Sequence, residues 1–168
     1  MPRLIGATVT VQTQSEQITT FNSSGTFTAQ PLSTTAQVLV VAGGGAGGGE
    51  LGGGGGAGGF RDIASHPIPS SGVPVTIGAG GSGAPDVNGA PGSNSVFGAS
   101  SPITSNGGGG GGAVSGSPSA DAAETGGSGG GAGVIAPSSS GAAGNTPPVS
   151  PSQGNDGGGG TGSVFGVG

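Results

Sequence analysis

The chain has 168 residues, of which 46 are Gly and 13 Pro; it carries no Cys, Trp or Tyr, 5 Phe and a net charge of −5. Arg3 and Arg61 are its only basic residues apart from His66, so no basic stripe exists to displace counterions from phosphates, and nucleic acid is excluded as a partner. Without Cys there is neither a disulfide nor a thiolate metal site, and no apolar run nears the 18 residues of a membrane span, so no membrane insertion is expected.

Charged residues make up 5% of the chain and aromatics 3%, against about 25% charged in ordinary domains. Burial stabilises by about 25 cal/mol per Å², and large apolar side chains are too scarce here for a conventional core. Such Gly and Pro content reads as low complexity, yet disordered chains carry high net charge and low hydropathy. A mean hydropathy of +0.06 and the modest charge point instead to an ordered chain.

Residues 1–6 do not read as the start of a secretion signal, and 1–20 read as an attachment segment. Residues 7–12 (Ala-Thr-Val-Thr-Val-Gln) alternate with β-branched side chains, as a strand does. Strands are predicted at 18–21 and 25–28, flanking the turn cluster Asn22-Ser23-Ser24, and Pro31 sits between runs. The continuous apolar run 37–41 predicts a strand buried on both faces. Residues 21–42 thus lead by strands into a region of different composition: only Gly6 and Gly25 precede Ala42.

Residues 43–168 alternate between glycine tracts and loops. The tracts are 43–49, 52–59, 78–83, 107–112, 126–133 and 157–162; the loops between them are 60–77, 84–106, 113–125 and 134–156, with a short strand predicted at 73–77. Ser-Val-Phe-Gly occurs at 95–98 and again at 163–166, placing two of the few apolar anchors. The tracts start at uneven intervals, which excludes a regular solenoid, and strict Gly triplets are too short for collagen. No helix signal is present. The predicted fold class is mainly β and irregular: a small N-terminal sheet followed by a glycine-rich bundle with loops.

In such a bundle each tract would take the extended polyproline-II form, with three residues per turn and all N–H and C=O groups pointing outward. Strands without Cβ approach closely enough to bond laterally, so a backbone network meets the pairing requirement that an apolar core meets elsewhere. Tracts of 6–8 residues would be roughly 19–25 Å long, with the loops at the ends. Flexible linkers and glycine-rich β-strands are the alternatives at this stage.

From residue 21 the order of strand, tract and turn resembles a known family. Phe21-Asn22-Ser23-Ser24-Gly25-Thr26-Phe27-Thr28, then Val38-Leu39-Val40-Val41-Ala42-Gly43-Gly44-Gly45, the tract 52–59 with Phe60-Arg61, Pro74-Val75-Thr76-Ile77-Gly78 and Gln153-Gly154-Asn155-Asp156-Gly157 carry it. The pattern is similar to the glycine-rich domain of bacteriophage tail-fibre and virion proteins, and more distantly to tail-tip adhesins built as polyglycine-II sandwiches. That resemblance implies a virion structural protein on a tail fibre or other surface appendage. It implies contacts with other tail or capsid proteins, a homo-oligomer that is trimeric by fibre analogy, and loops 60–77, 84–106, 113–125 and 134–156 that bind a host receptor or polysaccharide. A purely structural capsid-fibre or decoration protein is the second reading, and an ice-binding protein the third.

No catalytic, cofactor or metal site is expected. Gly43-Gly44-Gly45-Ala46-Gly47-Gly48 after a strand satisfies G-x-G-x-x-G, with Asp62 at a fitting distance, but glycines occupy the place of the helix that would hold a pyrophosphate. A Walker loop needs a Lys, which is absent. His66, between Ser65 and Pro67 and near Asp62, reads as a loop residue rather than a triad base. Glu16, Glu50, Asp62, Asp86, Asp121, Glu124 and Asp156 are scattered and form neither an acid/base pair nor a calcium loop, so they read as solubilising charges. Phe60, Phe97 and Phe165 are expected to pack against the sheet or seal the bundle rather than face a receptor.

Overall fold

The computed structural model describes residues 16–98, 101–114, 122–133 and 139–160. Among them are six strands and no helix: β1 (Gly25–Phe27), β2 (Thr35–Val41), β3 (Phe60–Pro67), β4 (Val73–Thr76), β5 (Ser95–Phe97) and β6 (Ile103–Ser105). They form two antiparallel sheets, β1-β4-β5-β6 and β2-β3. The strand expected at 7–12, the second Ser-Val-Phe-Gly, Phe165 and Asp121 lie outside the described residues. Residues 18–21 are not a strand; Phe21 instead packs on the rim of the core.

The sheets pack face to face over the one apolar cluster the composition permits: Val38, Val40, Ile68, Val73, Val75, Phe97 and Ile103. The period of two decides which residues enter it. On β4, Val73 and Val75 are buried while Pro74 and Thr76 face out. On β2, Val38 and Val40 are buried but Leu39 is 57% exposed and Val41 51%, so the run 37–41 is covered on one face only. The reason is architectural: the two-stranded sheet lies on the outside of the core, and none of the described residues covers its outer face. Most of the sheet material, β3 to β6, comes from beyond residue 42 rather than from an N-terminal unit.

Between the sheet strands the chain runs out and back as extended segments. We label them a (42–49), b (52–59), c (78–84), d (87–94), e (106–114), f (126–133), g (139–145) and h (153–160). Segments a and b continue the β2–β3 hairpin. Past the Val41–Phe60 pair, Ala42 donates to Gly59, Gly45 to Gly56 and Gly48 to Gly53, at 3.1, 2.8 and 2.9 Å. Segments c and d extend β4–β5 in the same way, with Ser93 bonded to Ala79 and Ala90 to Ser82.

In every ladder the bonds recur at each third residue. The N–H groups of Gly43, Ala46 and Gly49 go to Ser93, Ala90 and Val87 on d, one residue out of phase with those that go to b. A threefold extended helix sends successive N–H groups to different neighbours, which a flat β ladder does not do. The bundle expected from the tracts is therefore present, in two layers: c, a, b, h over d, e, f, g. Segment e lies at its centre, bonded to a, b, d and f, and to Glu124 on its remaining side.

Close approach explains where glycine is required. Segment e has backbone on every side and is the place of the longest uninterrupted run, 107–112, all of it buried. A Cβ on Gly108 would coincide with the carbonyl of Gly56, and one on Gly110 with that of Gly89. Segments at the border tolerate larger residues at one position in three, which accounts for Asn88, Pro91 and Asn94 on d. The side chains of Asn88 and Asn94 accept the N–H groups of Ala113 and Gly107 at 2.7 and 2.9 Å, completing the pairing of e at both ends.

Candidate functional site

The bundle has a base on the sheets and an opposite, distal end. At the base, Ser95 and Ser105, both fully buried, join the two materials: Ser95 Oγ accepts the N–H of Gly78 at 2.9 Å and Ser105 Oγ donates to the Val40 carbonyl at 2.8 Å. Buried Gln153 donates to Asn106 Oδ1 and the Pro147 carbonyl and accepts from the Asn106 N–H, while its own carbonyl takes the N–H of Phe60. Every polar atom of that amide is used, as burial requires. Asn145 (φ 47°) organises the adjoining turn by accepting the N–H groups of Val149 and Gln153.

At the distal end the tips of both long hairpins meet. The a–b tip carries Glu50 (φ 52°) and exposed Leu51; the c–d tip carries Asp86 (φ 55°) and exposed Val87. The two are tied by the bond from Gly49 N–H to the Val87 carbonyl. Left-handed φ at non-glycine residues costs of order 1 kcal/mol and persists where surrounding structure enforces it, here the ladders on both sides. Glu50 and Asp86 stand side by side. A hydrogen bond to Asp86 and its negative charge, with some desolvation, hold the Glu50 carboxyl above its ordinary value of 4.5. Asn88, next along, donates to the Ala122 carbonyl at 2.9 Å.

The segments expected as end loops are placed differently from that expectation. Of 60–77, most is β3 and β4, with only the short link between them and Ile77 free of strand. Of 84–106, residues 84–87 are the tip, 87–94 segment d, 95–97 strand β5, 103–105 strand β6 and 106 the start of e; of 134–156, residues 139–145 form g and 153–156 open h. Of 113–125, residues 122–125 run back along e, Glu124 bonding to both Gly110 and Gly130. The expectation failed because Gly89 with Gly92, and Gly141 with Gly144, are tracts written with two intervening residues. A three-residue glycine spacing, rather than a glycine run, is the signal for them.

His66 is not a loop residue: it lies on β3, paired with Ala36 of β2, and its ring meets Phe97 edge-on at 5.8 Å. Asp62 is held by Gln37 Nε2 at 3.0 Å, and Asp156 accepts the N–H of Gly144. Phe97 is buried as expected, whereas Phe60 is 55% exposed, because β3 presents it on the uncovered side of the outer sheet. The G-x-G-x-x-G segment is strand a, four of whose N–H groups, those of Gly43, Gly45, Ala46 and Gly48, are already bonded to neighbouring segments. Among the described residues no three His, Asp or Glu side chains are grouped to hold a metal.

A family model described as a glycine-rich domain matches residues 19–168. The chain belongs to that family. Comparisons with curated proteins and with solved structures give no match. The glycine-rich domain thus spans both the sheets and the bundle, since its matched region opens before β1 and continues past h.

Proposed function

We propose that this glycine-rich domain is a non-catalytic structural protein of a bacteriophage virion, of the tail-fibre or adhesin type, that acts as part of an oligomer on a surface appendage. Its bundle serves as a stiff platform, and the paired tips at 49–52 and 84–88 reach the host surface. The observation that supports this is the pair of tips at the distal end: two turns, each held by threefold ladders, bring exposed Leu51 and Val87 beside a carboxylate pair. Rigidity there reduces the ordering cost of binding, and display of many copies on a particle multiplies weak contacts.

Binding of purified protein to host cells or to their envelope polysaccharide tests the reading. Leu51→Ser with Val87→Ser should lower retention about tenfold or more with melting unchanged. Equal retention by the double variant would move the contact away from the tips. Absence of any binding by protein or particle would leave the decoration role.

A further inference from the structure

One outer face of the bundle carries glycines that the fold does not need. Inside the bundle an added Cβ would overlap neighbouring backbone, but on the outer side of layer c-a-b it meets only open space or ordinary contacts. For Gly44 and Gly47 on a, the nearest atoms would lie at 3.6 and 3.5 Å; for Gly80 and Gly83 on c, at 3.6 and 3.8 Å; for Gly54 on b, nothing lies within 4 Å. None of the five has a left-handed φ. Among the described residues, neither packing nor conformation calls for glycine at these positions. Among the described residues, no backbone bond uses the N–H of Gly44, Gly47, Gly80 or Gly83.

The three-residue period extends these rows to both ends. Row a runs from Val41 through Gly44 and Gly47 to Glu50; row b runs from Phe60 through Ala57 and Gly54 to Leu51; row c ends at Asp86. The contact of Glu50 with Asp86 at one end and the Val41–Phe60 pair at the other agree with rows sharing one face. The result is a flat panel without charge in its middle. Val41, Phe60 and Leu39 are exposed at one end, Leu51 and Val87 at the other.

We propose that this panel is the interface with a second copy of the same chain, the two panels packed face to face about a twofold axis that lies in the plane between them, at right angles to the segments. A second backbone without side chains can lie flat along the whole panel and meet its spare N–H groups in register, and the panel supplies such a backbone to itself. The antiparallel arrangement sets Leu51 and Val87 of one copy against Val41 and Phe60 of the other. It also keeps the Glu50–Asp86 pairs at opposite ends, so the charge of −5 on each copy is not concentrated in the contact. Three strands about 4.8 Å apart and eight residues long cover roughly 350 Å² per copy. With the apolar ends added, the total approaches the ~1,000 Å² at the lower bound of specific interfaces. The dimer is therefore weak as an isolated pair. Because this dimer covers Leu51 and Val87, it competes with the host contact proposed for the tips, and its failure in the test below would leave that contact standing.

The test is sedimentation equilibrium of the full chain from micromolar to millimolar concentration, with amide exchange at both extremes. Reversible dimerisation is expected, with protection at Gly44, Gly47, Gly80 and Gly83 that appears only at high concentration. Gly47→Gln with Gly83→Gln should weaken association by about tenfold or more, with an unchanged melting temperature. Should that variant fold poorly, Leu51→Ser alone should weaken association as well. A monomer throughout, a trimer, protection of these amides independent of concentration, or protection that requires added envelope polysaccharide would each overturn the proposal.

Discussion

The sheets and the bundle solve one problem with different materials, sometimes within a single hairpin. From Thr35 to Val41 the chain alternates with period two, burying Val38 and Val40 and exposing Leu39. One residue later the same hairpin changes to period three and continues through Gly45 and Gly48 as far as the tip. In the sheets, side chains fill the space between layers. In the bundle there is no such space, and stability comes from lateral amide bonds, each worth about 0.5–1.5 kcal/mol net but present at two positions in three along a. The comparison teaches that an apolar core is needed here only at the base, where seven large residues suffice to anchor the hairpins.

The sharpest way to break this comparison is to add a side chain where none fits. Gly110→Val places a branched side chain on the Gly89 carbonyl at the centre of the bundle, and should abolish cooperative melting by calorimetry, a loss of ~3 kcal/mol or more. Gly54→Ala, on the open face, should leave melting unchanged or raise stability by about 0.5 kcal/mol, since it restricts the unfolded chain. Similar losses for the two would show that glycine serves flexibility rather than packing.

Phe97→Ala comes next and addresses the other material. Phe97 is buried against Phe27 at 5.8 Å and His66, so its loss should cost about 3 kcal/mol in chemical denaturation. Gln153→Ala at the base leaves the Asn106 N–H and the Pro147 carbonyl unpaired, for about 1–3 kcal/mol by the same measurement.

Glu50→Gln at the tips is the smallest. Because the Asp86 hydrogen bond and charge raise the Glu50 pKa, the folded chain holds that proton more tightly than the unfolded chain. The resulting stabilisation is complete below the ordinary value of 4.5 and is lost as pH rises through the raised one. At pH 7 the variant should melt slightly above the parent, with the gap closing towards pH 4. A gap that widens on acidification would mean that the pair is stabilising when ionised.

How much of this is legible in the sequence follows from the same two periods. The strand predicted at 73–77 corresponds to β4, and the apolar run 37–41 gives the place of β2 though not its exposed face; the unbroken run 107–112 marks the central segment, because only a strand enclosed on every side demands six glycines in succession. Segments d and g are hidden among Asn, Pro, Ser and Ala, since a border strand needs glycine at only some of its positions. The exposure of Phe60 and Val41 was not legible, as it depends on what lies outside the β2–β3 sheet. Of the tips, 84–88 falls within a candidate loop, whereas Glu50 and Leu51 lie between two glycine tracts and in none of the candidate loops; the contact of Glu50 with Asp86 required the two hairpins to be aligned in space.

Amide hydrogen exchange resolved by residue along segment a, in dilute protein, tests the central claim most directly. The threefold bundle predicts that the amides of residues 42, 43, 45, 46, 48 and 49 are protected while those of 44 and 47 exchange freely, with protection in e that includes Gly108, Gly109, Gly111 and Gly112. Uniform exchange at the rate of an unstructured chain, or protection that alternates with a period of two, would contradict the account.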